Sequence, residues 1–269
     1  MRYAKSLLAL LVLGVAIGAV RADPQVPGSG VTITYLYDNT TAVSGTKADW
    51  GFACLVETGG RRVLFDTGAK PDVLRANLEA LAIDLTKLDA LVFSHDHGDH
   101  TAGVAALGQR PGLPTFFPAS FSEATRARFA ALQLRATPVT APTAVVPGVM
   151  TGGEVGTAIP EQALVVDTDP GLVVIVGCAH PGIIEMLRRI SSERGRPIHL
   201  VLGGFHLLQT PADQVRQIVA AFKDLGVAYV GATHCTGDAA IRSIREAYGA
   251  RFVEGGTGRV VKVPFAAER

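Results

Sequence analysis

Hydrophobic and polar positions along the chain follow two different periods. Residues 31–37 and 52–57 combine β-branched, aromatic and apolar residues in the short repeat of a strand, whereas 70–81 and 212–225 repeat apolar residues at helical spacing. Both patterns recur in each half of the chain. Because strands interleaved with helices pack as sheets covered by helices, the pattern predicts a layered α/β fold.

The same periods predict the other regular elements. Gly59-Gly60 is typical of a hairpin turn between two of the strands, and Asp169-Pro170-Gly171 is typical of a turn between two others. We predict further strands at 62–66, 88–94, 163–167, 172–177, 198–202, 228–231 and 259–263, and further helices at 122–132, 182–192 and 238–248.

Residues 109–153 differ in composition from the rest, because they are rich in Pro, Thr and Ala. The only regular element predicted there is the helix at 122–132. Phe116, Phe117 and Phe121 are expected to wall a substrate pocket, and the alternative is that this stretch is an irregular surface excursion.

The N-terminus has the pattern of an export signal. Arg2 and Lys5 precede an apolar and glycine run over 7–20, and small residues flank Arg21 at the positions that a signal peptidase reads. The run is short for a membrane span, which needs about 20 apolar residues. We predict a signal peptide at 1–22, a tether at 23–30 and a single domain at 31–269. The alternative is an uncleaved membrane anchor.

Composition narrows the functional classes. The 269 residues are 48% hydrophobic, enough for a large core, and 25 basic side chains nearly balance 24 acidic ones. No basic run favours nucleic acid, so the expected partner is a small-molecule substrate. Export predicts a periplasmic or secreted protein without stable membrane association after cleavage. The oligomeric state stays open.

Three histidines and two aspartates fall within residues 95–100, directly after an apolar strand. His95 and His97 are two residues apart, so their rings can converge on one ion, while Asp99 and His100 point toward a second. Imidazoles with a carboxylate suit zinc, and Mn, Fe and Ni remain alternatives. The other interpretation, a solvated polar turn, would crowd three imidazoles that repel one another when protonated.

The spacing His95-x-His97-x-Asp99-His100 resembles the signature of the metallo-β-lactamase superfamily, as does the turn at 64–68. Segments 38–40, 177–180, 203–207 and 234–237 resemble the branch that includes the dihydropterin ribofuranosyl-aminobenzene phosphate synthases. Together these segments span nearly the whole mature chain. The resemblance implies a four-layer αββα sandwich that holds two divalent metal ions.

The resemblance also implies further ligands. His234 corresponds to the superfamily's last histidine, which binds the second metal. Most members carry a bridging aspartate where this chain has Cys178 and His180; His180 is the favoured ligand, and a Cys178 thiolate is the alternative. A loop histidine common near residues 150–152 is missing, so His206 is expected to compensate or to bind substrate.

For several other polar residues the sequence leaves more than one role open. Asp66 is interpreted as a carboxylate that orients a ligand histidine, or else as an ordinary turn residue. His199, inside an apolar strand, is expected to be a core histidine. The three cysteines include Cys178 and Cys235, and a disulfide between these two would prevent thiolate ligation. Asp38 and Asn39 either line the site or cap a turn.

These features predict a metal-dependent hydrolase. A metal-bound hydroxide would attack an ester, lactone, phosphoester or amide. Asp99 would bind a metal and accept the proton of the nucleophile. Asp96 is a candidate general acid, with a solvated surface carboxylate as the alternative. The competing functions are the pterin-forming condensation of the related branch and a metal-binding protein without catalysis.

Overall fold

The computed structural model describes residues 30–264. The predicted signal peptide and residues 23–29 of the predicted tether lie outside this range. The strands are β1 (Val31–Tyr37), β2 (Ala53–Thr58), β3 (Arg61–Phe65), β4 (Ala90–Val92), β5 (Pro114–Pro118), β6 (Arg135–Val139), β7 (Thr143–Val146), β8 (Val149–Thr151), β9 (Leu164–Thr168), β10 (Gly171–Val176), β11 (Ile198–Gly204), β12 (Tyr229–Thr233) and β13 (Val260–Val263). The helices are α1 (Pro71–Ala80), α2 (Gly98–Thr101), α3 (Glu123–Ala131), α4 (Ile183–Arg194), α5 (Ala212–Asp224) and α6 (Asp238–Tyr248).

The strands form two sheets. One has seven strands in the order β13-β1-β2-β3-β4-β5-β6, and the other has six in the order β12-β11-β10-β9-β8-β7. Each sheet therefore contains consecutive strands of one half of the chain, except that β13 returns to pair antiparallel with β1 in the first sheet.

Alternation of side chains along each strand produces the layers. In β10, Val173 and Ile175 lie in the apolar cluster between the two sheets, while Leu172, Val174 and Val176 lie in the cluster on the opposite face. Successive side chains of a strand point to opposite faces, so a wholly apolar strand is buried on both. Each fully buried aliphatic side chain contributes about 1.5–3 kcal/mol to folding.

Helices cover both outer faces. Val73 and Leu74 of α1 and Phe129 of α3 pack on the first sheet. Helices α4, α5 and α6 pack on the second, through residues such as Leu187 and Phe222. The order helix, sheet, sheet, helix confirms the predicted four-layer αββα sandwich.

The structure differs most from the sequence prediction at residues 109–153. Besides α3, this stretch forms β5, β6, β7 and β8, none of which was predicted. Its prolines hid the strand pattern. Pro138 lies in β6 and Pro142 next to β7, and these two strands are sheet edges, where a missing N–H is tolerated.

The phenylalanines of this stretch are core residues, so the expectation that they wall a substrate pocket is wrong. Phe117 and Phe121 are almost fully buried beside Phe93 and Phe129, under the helices of the first sheet. Phe116 lies between the sheets. Their rings pack in the core beside α3 and β5, so they do not line a substrate pocket.

Parallel strands place the chemically active segments together. Strands β10, β11 and β12 are parallel neighbours, and β4 is parallel to both β3 and β5. The carboxyl ends of parallel strands meet at one edge of a sheet. The histidine cluster after β4 and the histidines after β10, β11 and β12 therefore share one end of the sandwich.

Within residues 30–264, no helix has both the length and the apolar character needed to cross a bilayer.

We predict that Gly103→Ala destabilises the fold through the turn at 66–68. A Cβ at Gly103 would lie 1.8 Å from the Thr67 carbonyl oxygen, and the Gly103 N–H already donates to the Gly68 carbonyl at 2.9 Å. Neither backbone can yield easily, so the free energy of unfolding should fall by about 3 kcal/mol, the upper end of overpacking costs. Denaturant unfolding measures the change.

Gly98→Ala is the matched control, because a Cβ at Gly98 meets no atom within 4 Å. Equal stability losses in the two variants would contradict the packing argument.

Candidate metal centre

The histidine cluster begins where β4 ends. The Phe93 N–H donates to the Phe116 carbonyl, and the Ser94 N–H then donates to Asp66 Oδ1 at 2.7 Å, so the chain leaves the sheet toward Asp66. His97 precedes the short helix α2, and its carbonyl accepts the N–H groups of His100 and Thr101. This turn directs the side chains of His95, His97, Asp99 and His100 to one side.

The structure brings the candidate ligands into two adjoining groups. In the first, ligand atoms of His95, His97 and His180 lie within 4.8 Å of one another. In the second, those of Asp99, His100 and His234 do so. The ring centroids of His95 and His100 are 4.2 Å apart, so the two groups share a boundary.

Asp66 fixes two of these rings. Its Oδ2 lies 2.7 Å from His100 Nδ1 and accepts a hydrogen bond from Ser94 Oγ at 2.7 Å. Ser94 Oγ in turn lies 2.9 Å from His95 Nδ1. Because the serine hydroxyl proton goes to Asp66, His95 Nδ1–H donates to Ser94, and His100 Nδ1–H donates to Asp66. Both rings therefore present an unprotonated Nε2 to the centre.

Glu161 and Asn39 hold the rings of His180 and His234 in the same way. His180 Nδ1 lies 3.1 Å from Glu161 Oε2, and His234 Nδ1 lies 3.0 Å from Asn39 Oδ1. In the described structure the Nε2 atom of His95 is buried without a hydrogen-bond partner, and that of His234 is buried and faces another acceptor, Asp99 Oδ2, at 3.3 Å. A buried polar atom without a partner is costly, so these lone pairs suit a ligand that is a cation.

Burial keeps the imidazoles neutral. It lowers the pKa of His95 well below its usual range and that of His100 to about 3, with neighbouring imidazoles adding to the effect. Burial also lowers the pKa of His97. Neutral imidazole is the form that binds a metal, so these rings need not lose a proton first.

The carboxylates respond differently. Burial opposes ionisation of Asp99, but His234 and His100 outweigh it and hold its pKa below the usual range. Burial raises the pKa of Asp66 well above its usual range; the hydrogen bonds from Ser94 oppose the rise, and the nearby Glu161 and Asp99 carboxylates add to it. A cation on the Nε2 side of His100 would supply the charge that favours ionised Asp66.

Glu161 was not identified from the sequence, although it is fully buried at this centre. Its Oε1 accepts the N–H groups of Gly177, Cys178 and Ala179 at 2.9–3.0 Å, and its Oε2 accepts that of His180 at 3.1 Å. Burial opposes its ionisation, yet His95, His180 and these N–H groups hold its pKa well below the usual range. The only sequence signal was an acidic residue just before an apolar strand.

The structure separates the roles of Cys178 and His180. The ligand atom of His180 lies near those of His95 and His97. The Cys178 thiol instead lies near His95 and His100, with its sulfur 3.2 Å from His100 Nε2. Cys178 therefore lies between the two groups. The thiols of Cys54, Cys178 and Cys235 are free, so the conceivable disulfide is not formed in this structure.

Two candidate residues lie apart from the ligand groups. Asp96 Oδ2 accepts the Ser122 N–H at 2.7 Å, at the start of α3, and its carboxylate belongs to none of the groups that could hold a metal. His199 is half-buried in β11 with its ring 5.1 Å from that of Tyr229, so it is less buried than expected and distant from the cluster.

Several residues at the centre have left-handed backbone conformations. Asp66, Ala179, His206 and His234 have φ between 50° and 56° without being glycine. Such conformations cost free energy and persist where the surrounding contacts impose them, often at functional sites. The ring of His206 lies 4.5 Å from that of His180, at the rim of the centre.

Comparison with known proteins agrees with this geometry. Residues 51–184 match the family model described as the metallo-β-lactamase superfamily. This stretch contains the histidine cluster together with Asp66 and Glu161, the carboxylates that contact its rings. The chain carries a metallo-β-lactamase superfamily domain.

Three similar proteins match this chain over most of their own length. A 7,8-dihydropterin-6-methyl-4-(β-D-ribofuranosyl)-aminobenzene-5′-phosphate synthase of Methanocaldococcus jannaschii is 26% identical, over 78% of this chain and 88% of its own. A solved metal-dependent hydrolase of the β-lactamase superfamily is 27% identical with a TM-score of 0.73, over 87% of this chain and 99% of that one. A metallo-β-lactamase fold protein from Bacillus subtilis, 15% identical, shares the fold with a TM-score of 0.62, over 86% of this chain and 99% of that one.

The comparisons support a general conclusion about chemistry. Metallo-β-lactamase domains usually bind divalent metals, most are enzymes, and this chain has His, Asp and Cys groups arranged to hold such ions.

We predict that Glu161→Gln weakens metal binding as well as stability. The neutral amide would place an NH₂ group among backbone N–H donors and release the His180 ring. Loss of an outer carboxylate that orients a ligand histidine costs on the order of 10–100-fold in metal affinity. Competition with a chromogenic chelator measures that affinity, and thermal unfolding measures stability.

Glu193→Gln is the control, since that carboxylate is exposed and pairs with Arg189 on α4. A Glu161→Gln protein that unfolds more easily but binds metal with unchanged affinity would limit Glu161 to a purely structural role.

Proposed function

We propose that this metallo-β-lactamase domain is a hydrolase that uses two divalent metal ions. The observation that carries the proposal is the arrangement of imidazoles around one space. Nδ1 atoms of His95, His100, His180 and His234 are engaged by outer partners, while the Nε2 atom of His95 is buried without one and that of His234 is buried facing Asp99 Oδ2.

Each ion has a distinct proposed ligand set. His95, His97 and His180 would hold the first, and Asp99, His100 and His234 the second. The Cys178 thiolate would occupy the boundary between them, where most superfamily members have an aspartate. Imidazole with one carboxylate and a thiolate favours zinc, and Mn, Fe and Ni are the alternatives.

Divalent ions bound there supply Lewis acidity, which makes water nucleophilic near neutral pH and stabilises negative charge on the substrate. The chain's own groups prepare the site. Asp99, whose Oδ2 lies 3.8 Å from His100 Nε2 and 3.3 Å from His234 Nε2, would hold a metal and would be the group placed to accept a proton from the nucleophile. The buried Asp66 and Glu161 carboxylates hold the imidazoles in the ligating tautomer.

The substrate would be a small molecule with an ester, lactone, phosphoester or amide bond. Support comes from the rim, where the Trp50 ring lies 4.9 Å from that of His234 and the Trp50 side chain is 48% exposed. An exposed aromatic face beside the ligands can stack against an apolar or planar part of a substrate. The near-neutral charge gives no support for a nucleic-acid substrate.

A second candidate function is a condensation like that of the pterin-forming synthase, because that relative is 26% identical over most of both chains. Incubation with a panel of esters, lactones, phosphoesters and amides tests hydrolysis, and incubation with a pterin and a phosphorylated ribosyl-aminobenzene tests condensation. Metal content without turnover of either kind would favour a binding protein.

We further propose that the protein works in the periplasm or outside the cell. This rests on the basic start and apolar run of residues 1–22, which are typical of a cleaved signal peptide. N-terminal sequencing of the protein from its native host tests the cleavage after Ala22.

We predict that His97→Ala loses one bound ion and the hydrolytic activity. The His97 ring lies 4.7 Å from His95 and 4.8 Å from His180, so its removal leaves the first ion with two protein ligands. Activity should fall by more than about 100-fold, since even outer-sphere losses reach that size. Elemental analysis and initial rates on the best substrate of the panel measure both effects.

His199→Ala is the control for the loss of a histidine outside the cluster. Full metal content and full activity in the His97→Ala protein would refute the assignment of the site.

A further inference from the structure

Three neighbouring loops each contribute one soft metal ligand that the proposed two-ion centre does not fully use. Cys178 follows β10, His206 follows β11 and Cys235 follows β12. Because these three strands are parallel and adjacent, their carboxyl ends lie side by side. The topology therefore brings together residues that are 28 and 29 positions apart in the sequence.

The three side chains form a compact group. Their ligand atoms lie within 4.8 Å of one another. Both cysteines are buried, whereas His206 is exposed. The two thiols therefore face the protein interior, and the imidazole lies on the solvent side of the group. In tetrahedral zinc sites, Zn–S distances near 2.3 Å and Zn–N distances near 2.0–2.1 Å separate ligand atoms by roughly 3.5–4 Å. The observed spacing needs only small side-chain adjustments.

The backbone around the group favours close approach of the thiols. A Cβ at Gly204 would lie 2.6 Å from Cys235 Sγ and 2.6 Å from the Gly177 carbonyl, so only glycine admits the sulfur there. The His206 N–H donates to Cys235 Sγ at 3.3 Å, a contact that strengthens when the sulfur carries negative charge. His206 keeps the left-handed φ of 53°, which is costly for a histidine.

Two of these residues lie outside both proposed ligand sets. Cys235 and His206 belong to neither the group of His95 nor that of Asp99. Cys178 borders both environments, because its thiol faces His100 Nε2 at 3.2 Å on one side and Cys235 on the other. As a thiolate, its sulfur would have three lone pairs, enough to face the two-ion centre and a further cation at once.

We propose that Cys178, His206 and Cys235 form a third cation site, beside the two-ion centre, for a soft ion such as Zn(II), Cd(II) or Cu(I). Two thiolates and an imidazole are a three-ligand set that zinc accepts with its fourth position left to water, and thiolates select Cu(I) and Zn(II) over hard cations. In the metal-free chain, loading of the sites releases one proton from each of the Cys178 and Cys235 thiols to water, without a change in oxidation state.

The site is tested by titrating the reduced, metal-free full chain with Cd(II). Bound thiolates give sulfur-to-cadmium charge-transfer absorption in the ultraviolet, and elemental analysis gives the number of tightly bound ions. Thiol counting with a disulfide reagent before reduction is done in parallel. We expect three ions per chain and absorption from two thiolates.

The variants separate this site from the two-ion centre. Cys235→Ala is expected to retain two ions and about half of the absorption, because Cys178 alone remains. His206→Ala removes an exposed ring without disturbing the core, and is expected to weaken binding of the third ion while keeping both thiols. Cys54→Ala removes a buried thiol in β2, and is expected to retain three ions and the full absorption.

Three results would overturn the proposal: unchanged stoichiometry and absorption in both Cys235→Ala and His206→Ala, absorption from a single thiolate in the unmodified protein, or a Cys178–Cys235 disulfide found by mass spectrometry before reduction. The first two results leave the two-ion proposal unchanged, because that proposal is tested by His97→Ala and its substrate panel. The disulfide would also remove the Cys178 thiolate from the two-ion centre, but it would leave the imidazole and Asp99 ligands of both ions in place.

Discussion

Carboxylates buried behind the histidines hold this centre together. Asp66 and Glu161 have no exposed surface, yet each accepts several hydrogen bonds and each reaches an imidazole Nδ1 of the cluster, either directly or through Ser94. A buried carboxylate is costly unless it is satisfied in this way. The same contacts that stabilise the carboxylates also fix the tautomers of the rings, so stability of the fold and geometry of the site depend on the same atoms.

The sandwich supplies rigid points of attachment for those contacts. Asp66 follows β3, the cluster follows β4, and Glu161 lies next to β9, so the two sheets each contribute one carboxylate. The Gln162 N–H donates to the Ser94 carbonyl, and the Gln162 side chain donates to the Phe93 carbonyl, which ties the sheets together at the centre. A site built at strand ends is more precise than one built on long loops alone.

The chain departs from the usual superfamily ligands in a way that the structure makes coherent. The loop histidine expected near residues 150–152 is missing, and His180 stands with His95 and His97 instead. Cys178 then lies where both ligand groups meet, and its sulfur also faces Cys235 and His206. The Cys178 sulfur thus connects the proposed two-ion centre to a neighbouring group that contains a second thiol, which is the basis of the proposed third cation site.

The sequence by itself determined the α/β layers, most of the strands and helices, and the cluster at 95–100, because periodicity and short-range spacing are local properties. It did not reveal the strands within 109–153, whose edge positions tolerate proline, or the burial of Phe117 and Phe121. It also did not reveal Glu161, because that carboxylate meets its partners at 177–180 only when β9 and β10 pair. Tertiary structure alone decided that His180 joins His95 and His97 and that Cys178, His206 and Cys235 meet, since parallel strand ends bring distant residues together in a register that no local pattern encodes.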